Sequence, residues 1–206
     1  LARLESSKSF MRDLFQKYNI AGNPLFRVFT SADADNADNA MEKFVEEVGG
    51  HFVVKADGLR AGKGVKVSGD HFSSSAEGLA YARECLASDG CVVLEEKLVG
   101  QEFSLMSFCD GRHVVHMPAV QDHKRAYDGD KGPNTGGMGT YSDADHSLPF
   151  LRPEDLFEAH RMNEAVAHAL LQETGVEYKG VLYGGFMAVR SGVRLIEYNA
   201  RFGDPE

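Results

Sequence analysis

With 206 residues the chain can form one large domain or two small ones, either with a buried core. Its 43% apolar and 26% charged content is ordinary for a globular protein in water. The net charge of -9 and pI near 5.4 exclude the basic footprint of a non-specific nucleic-acid binder.

In chain order, Leu4, Met11, Leu14, Phe15 and Tyr18 recur at helical spacing, and the helix stops before "NIAGNP". "FRVFT" is a short strand. Ala37, Ala40, Met41, Phe44, Val45 and Val48 form an amphipathic helix closed by Gly49-Gly50. "HFVVKA" and "GVKVSG" are strands flanking a glycine-lysine loop. "SSSAEGLAYARECLA" opens with a capping box, Ser74 to Glu77, and carries a Leu79/Ala82/Leu86 stripe. The β-rich segments "CVVLEE", "EFSLMSFCD" and "HVVHMPAV" come next, with a hairpin turn at Asp110-Gly111. Residues 121–150 read as one long polar loop holding "GPNTGGMG", a length that points to function or disorder. Pro153 opens a helix that ends near Gly175, and "GVLYGGFMAV" and "VRLIEYN" form a strand pair turning at Ser191-Gly192. Helices mixed with antiparallel hairpins predict an α+β fold.

Cys85, Cys91 and Cys109 lack CxxC spacing and cannot all pair, so they read as reduced thiols of a cytoplasmic protein. No apolar run approaches the length of a membrane span, and no signal-peptide pattern is present. The chain starts on a helical pattern without methionine and stops in a Gly-Pro loop, the ends expected of a piece of a longer protein.

Four stretches can carry chemistry. "VVKADGLRAGKGVKV" fails the Walker A pattern, because three residues separate Gly58 from Gly62 and Gly64 follows Lys63. Its backbone N–H groups can still form an anion cradle, with Lys55 and Lys63 as point charges; a hairpin loop with solvated lysines is the plain alternative. In "RLIEYNARFGDPE", strand alternation puts Glu197 and Asn199 on one face, with Ile196 and Tyr198 on the other. Arg201 continues the polar face. A carboxylate and an amide oxygen together suit a hard cation, although the same spacing also occurs on solvated strands. "QDHKR" with "GPNTGGMG" downstream offers a second anion site or a flexible surface loop. In "LEEKLVGQEFS", Glu102 can accept from both hydroxyls of a ribose, against the default of a surface glutamate.

In this order and spacing, these blocks together with "IEYNARFGDPE" resemble the phosphoribosylamine–glycine ligase family of the ATP-grasp superfamily, from about Ser6 to Glu206. The resemblance implies an ATP-grasp core of two α+β lobes clasping the nucleotide, divided here as 1–120 and 121–206. The family's N-terminal α/β domain and C-terminal segment are missing from the sequence. It also implies that a mobile glycine loop on a β-hairpin replaces the Walker helix. Lys55, Gly58, Gly62, Lys63 and Gly64 would meet the ATP phosphates. Glu95 and the backbone near Leu98 would meet the adenine edge, and Glu102 the ribose. Glu197 and Asn199 would hold Mg²⁺ or Mn²⁺. Arg201, Lys63 and Lys124 would serve catalysis. Asp122, Lys124, Asn134, Thr135, Gly136, Gly137 and Asp204 would line the pocket for glycine and 5-phosphoribosylamine. The implied reaction joins those two substrates at the expense of ATP, through glycyl phosphate, in purine biosynthesis; no nucleic acid or membrane takes part. Two other readings stand beside it: a nucleotide-binding module without catalysis, and an ATP-grasp ligase for another amine.

The sequence departs from the family pattern at four places. Arg60 stands where alanine is usual, Lys97 where the hinge is apolar, Gly184 where alanine is common, and Ala200 where cysteine is common. The last two are small-for-small changes, expected to be tolerated.

Overall fold

The computed structural model describes residues 1–58, 60, 64–129 and 131–206, with the backbone alone at 33–35 and 134. The chain divides into two compact units. One comprises Ala2–Asp13 and Asn23–Leu98; the other comprises Leu1, Leu14–Gly22 and Val99–Glu206. The expected division at 120 is therefore corrected to Leu98/Val99. The cause is strand pairing: the strand Gly100–Asp110 is hydrogen-bonded along its whole length to Lys179–Val189, so it belongs with the later chain.

The predicted leading helix is two helices, α1 (Arg3–Ser6) and α2 (Lys8–Lys17). They separate at Ser7, whose hydroxyl accepts from the Phe10 amide and so starts a new helix. In the first unit, β1 (Phe26–Thr30), β2 (Phe52–Ala56), β3 (Val65–Val67) and β4 (Cys91–Glu96) form an antiparallel sheet in the order β1-β4-β2-β3. Helices α3 (Ala34–Glu47) and α4 (Ser75–Asp89) supply Met41, Phe44, Leu79 and Ala82 to one core with Phe52, Val54, Val92 and Leu94. The predicted cap of α4 forms with a shift. Ser74 accepts from the Glu77 amide, but the Glu77 carboxylate reaches back to the amide of Ser73.

In the second unit, β5 (Gly100–Asp110), β6 (Val114–His116), β11 (Lys179–Val189) and β12 (Gly192–Asn199) form a sheet in the order β12-β11-β5-β6. Helix α5 (Pro153–Thr174) packs on it through Ala159, Met162, Val166 and Leu170. The Asp110 carboxylate closes the β5–β6 turn by accepting from the amides of Arg112 and His113. Residues 121–150 are not one unstructured loop. They contain two small ribbons, β7 (Gln121–Asp122) with β10 (Thr140–Tyr141), and β8 (Arg125–Tyr127) with β9 (Lys131–Asn134). Their strands are too short, and too rich in glycine and proline, to show a period of two. Among the described residues no helix is long and apolar enough to cross a membrane.

The ladder between β11 and β12 is irregular at one point. Its register shifts between Gly185 and Phe186: Gly185 faces Glu197 while Phe186 faces Leu195, which leaves Ile196 as an extra residue. This bulge lets Leu195 and Tyr198, three apart, both be buried. It also corrects the expected placement of Ile196, which lines the same cleft as Glu197 rather than sharing the face of Tyr198.

Candidate nucleotide and cation site

In the first unit, alternation along β2 and β4 turns Phe52, Val54, Val92 and Leu94 to the core with α3 and α4. Lys55 and Glu95 share the opposite face. There the Glu95 carboxylate accepts from Arg12 of α2 in a two-pronged contact (Nε 2.7 Å, Nη2 2.8 Å), and Lys55 Nζ lies 2.9 Å from Glu95 Oε2. All three side chains are buried, and Arg12 also donates to Asn23 Oδ1 at 3.2 Å. Burial pushes the Glu95 carboxyl upward, but Arg12 and Lys55 outweigh it and hold it below the usual carboxylate range. The resemblance implied that Glu95 meets the adenine edge; its carboxylate is committed to Arg12 and Lys55 and fixes the direction of the lysine.

The glycine loop closes the β2–β3 hairpin, with the Ala56 amide donating to the Gly64 carbonyl at 2.8 Å. Gly62 and Lys63 lie outside the described residues. At the loop's entrance, Asp57 accepts from the amide and hydroxyl of Ser9 (3.1 and 2.8 Å) and from the Ser7 hydroxyl (3.1 Å). Lys8 donates to the carbonyl of Gly58, whose φ of +121° suits glycine. Arg60 pairs with Asp89, so this departure from the family pattern ties the loop to the end of α4. Lys97 donates to the Ser68 carbonyl and pairs with Asp70, so its charge is used within the unit. Leu98, beside it, is half-buried and ends this unit.

In the second unit, one face of the sheet packs on α5 and the other carries a small open cleft. Glu102 and Ser104 of β5, Tyr183 and Gly185 of β11, and Glu197 and Asn199 of β12 line it, with Asp122 and Lys124 at its side. Lys124 Nζ lies 3.3 Å from Glu102 Oε2. Partial burial pulls the Lys124 ammonium down, but Glu102, Asp122 and Glu197 outweigh it and keep it above the usual lysine value. Asp122 is pushed up by burial and then by the charge of Glu206, against the pull of Lys124 and His123. Its Oδ1 is buried with no hydrogen-bond partner among the described residues.

The "GPNTGGMG" loop folds back onto the Asp122–Lys124 segment. The Thr135 amide and hydroxyl both donate to the Lys124 carbonyl, at 2.7 and 2.9 Å. Gly137, at φ +116°, packs where a Cβ would stand 2.4 Å from Pro205 and 3.2 Å from Asp122 Oδ1. Gly136 is exposed, and the Asn134 side chain lies outside the described residues. Arg201 donates to Asn199 Oδ1 (3.4 Å) and to the Phe202 carbonyl. Asp204 is exposed and does not line the cleft. Glu206 approaches instead, accepting from the Tyr183 hydroxyl, which also lies 2.9 Å from Ser104 Oγ.

The cleft's donors are oxygens. The Glu197 carboxylate and the Asn199 amide oxygen lie together on the cleft face of β12, with Glu102 and Lys124 beside them. That chemistry fits a hard divalent cation. No three His, Cys, Asp or Glu groups are close enough among the described residues to hold a metal by themselves.

Sequence reasoning missed Arg12, Tyr183 and Glu206. Arg12 alone left a signal, as a charge one position from Met11 and three from Phe15 on an apolar helix stripe.

Residues 6–206 match the family model described as phosphoribosylglycinamide synthetase, ATP-grasp (A) domain. The chain is 48% identical over 209 residues to the phosphoribosylamine–glycine ligase of Methanothermobacter thermautotrophicus, and 47% identical over 205 residues to that of Methanosarcina barkeri. Each alignment covers 100% of this chain and 46% of the relative, so the chain spans about half the length of these curated relatives. The crystal structure of phosphoribosylamine–glycine ligase from Thermotoga maritima superposes with a TM-score of 0.81 at 33% identity, over 99% of this chain and 49% of that one. D-alanyl-alanine synthetase A from Vibrio cholerae shares the fold, with a TM-score of 0.69 at 11% identity, over 97% of this chain and 56% of that one. The chain therefore belongs to the phosphoribosylglycinamide synthetase family and is its ATP-grasp domain.

Proposed function

We propose that this chain is the ATP-handling part of a cytoplasmic phosphoribosylamine–glycine ligase, joining glycine to 5-phosphoribosylamine with conversion of ATP to ADP and phosphate. The observation that carries this reading is the cleft. It gathers Glu102, Asp122, Lys124, Glu197 and Asn199, drawn from separate stretches of sequence, around oxygen donors and one ammonium.

In the first step a glycine carboxylate oxygen attacks the γ-phosphorus of ATP, the bond to the bridging oxygen breaks, and ADP leaves. In the second, the amine of phosphoribosylamine attacks the acyl carbon, the carbon–oxygen bond to phosphate breaks, and the amine gives up a proton. No protein nucleophile is needed, and phosphoryl transfer depends mainly on positioning and charge neutralisation. Lys55, held by Glu95, and the amides of the loop from Gly58 to Gly64 would bind phosphate oxygens. Bound Mg²⁺ or Mn²⁺ would supply charge neutralisation, with Glu197 and Asn199 as its protein ligands. Arg201 would face the transferring phosphoryl. The unpartnered Asp122 oxygen suits the glycine ammonium, while Lys124 and the Thr135–Gly137 segment border the same pocket. Excluding water matters because an acyl phosphate hydrolyses.

Hydroxylamine trapping tests the reading on the full-length protein carrying this chain. With ATP, divalent cation and glycine, glycine hydroxamate is expected. Hydroxamate from another acid but none from glycine would defeat the substrate assignment, and ATP binding without ADP release under any substrate set would favour a non-catalytic module.

A further inference from the structure

A continuous hydrogen-bond chain runs behind the cleft, on the α5 side of the second sheet, from the buried Tyr198 out to the exposed Glu164. Tyr198 lies between Glu197 and Asn199 on β12 and points the opposite way, 2% exposed. Its hydroxyl donates to Asn163 Oδ1 at 2.8 Å. Asn163, fully buried on α5, donates through Nδ2 to Ser107 Oγ at 2.8 Å and to the Leu105 carbonyl at 3.3 Å. Ser107 Oγ lies 2.8 Å from His116 Nδ1, and His116 Nε2 lies 3.3 Å from Glu164 Oε1. Both hydrogens of the Asn163 amide and the hydrogen of the Tyr198 hydroxyl thus have acceptors. His160 stacks flat on His116, ring centroids 4.0 Å apart.

Asn163 interrupts the apolar stripe Ala159, Met162, Val166, and no contact with the cleft explains it. A buried amide costs stability unless all its bonds are made. Its partners are informative: it joins the strand carrying Glu102 and Ser104 to the one carrying Glu197 and Asn199. It grips β12 at Tyr198, two residues past the Ile196 bulge, where the ladder's register has just shifted. We propose that Asn163 is a positioning residue for the cation-holding pair: by fixing Tyr198 from behind, it sets the direction of the flanking Glu197 and Asn199 side chains. The proposal rests on the cation role of that pair.

The test uses the full-length protein with two variants, Tyr198→Phe, which removes only the hydroxyl, and Ser107→Ala, which loosens Asn163 at one remove. Mn²⁺ binding is read by electron paramagnetic resonance with a non-hydrolysable ATP analogue, and analogue binding without metal by calorimetry in EDTA. Partners that orient a ligand typically alter metal affinity 10- to 100-fold, so Tyr198→Phe should weaken Mn²⁺ by about 10-fold, acting through the backbone. Ser107→Ala should shift it the same way by less, and metal-free analogue affinity should hold in both. Unchanged Mn²⁺ affinity in folded Tyr198→Phe overturns the proposal, as does an equal loss of metal-free binding. If that variant does not fold, unchanged Mn²⁺ affinity in Ser107→Ala overturns it and a selective loss sustains it. A wild-type protein that takes up no Mn²⁺ with the analogue defeats the cation role itself, a failure visible before any variant is made.

Discussion

Three buried side chains show how charge is used at the scale of single residues. Glu95 lies between Arg12 and Lys55 in a desolvated setting where any one of them alone would be costly. Glu95→Gln keeps the shape but leaves two cations facing each other. Breaking a buried pair in this way costs about 3–5 kcal/mol, measurable by urea unfolding. The pH dependence has a definite sign. The folded carboxyl titrates below its unfolded value of about 4.3, so its contribution is complete above that pH and is lost as the pH falls through the lower folded value. The variant's acid unfolding should lack this component, and an unchanged acid limb would contradict it. Lys55 was legible from its place beside a glycine loop. Its holder was not, because E-E-K reads as ordinary surface charge until burial is known.

Two adjacent glycines on β11 make different demands on that strand as an element. At Gly184, on the helix side, a Cβ would stand 2.4 Å from the Phe186 ring and 3.0 Å from Asn163 Oδ1. Alanine there is not the small-for-small exchange expected from sequence, since the buried Phe186 has taken the space. At Gly185, on the cleft side, the nearest atoms would be at 3.7 and 3.9 Å, both from Glu197, an ordinary contact. Gly184→Ala should therefore cost about 1–3 kcal/mol, as overpacking does. Gly185→Ala should leave stability within about 0.5 kcal/mol, as at unconstrained sites, while weakening nucleotide binding. Thermal unfolding and calorimetry separate the two, and the opposite pattern would mean that the cleft side was misassigned. Periodicity revealed the long helices and the final hairpin, because each repeats an apolar spacing over two turns or more. It could not reveal the 121–150 ribbons, whose two- to four-residue strands hold too few side chains to alternate.

At the scale of the whole molecule, the thiols report on both units. Cys85 and Cys91 belong to the first and Cys109 to the second, and all three are unpaired. Burial pushes Cys91 and Cys109 up to about 11 and raises Cys85 as well. The thiolate is the reactive form, so at about pH 8 the folded protein should react slowly with a disulfide reagent and release three equivalents quickly once unfolded. Prompt stoichiometric reaction of the native protein would show that one unit opens readily. The reading of reduced thiols needed only their count and spacing. The unit boundary needed more, since a strand's allegiance depends on its pairing partner, here about eighty residues away in sequence, as Asp110 opposite Lys179 and Gly100 opposite Val189 show.

The extra residue at Ile196 acts as a parity switch. Upstream of it the odd-numbered Val193 and Leu195 face inward, and downstream the even-numbered Tyr198 does. An uninterrupted count from Val193 would aim Glu197 and Asn199 into the hydrocarbon interior, where a lone carboxylate takes up a proton rather than keep its charge. One inserted residue thus lets a single strand keep a dry side and an ionic side, each free to vary in sequence without disturbing the other.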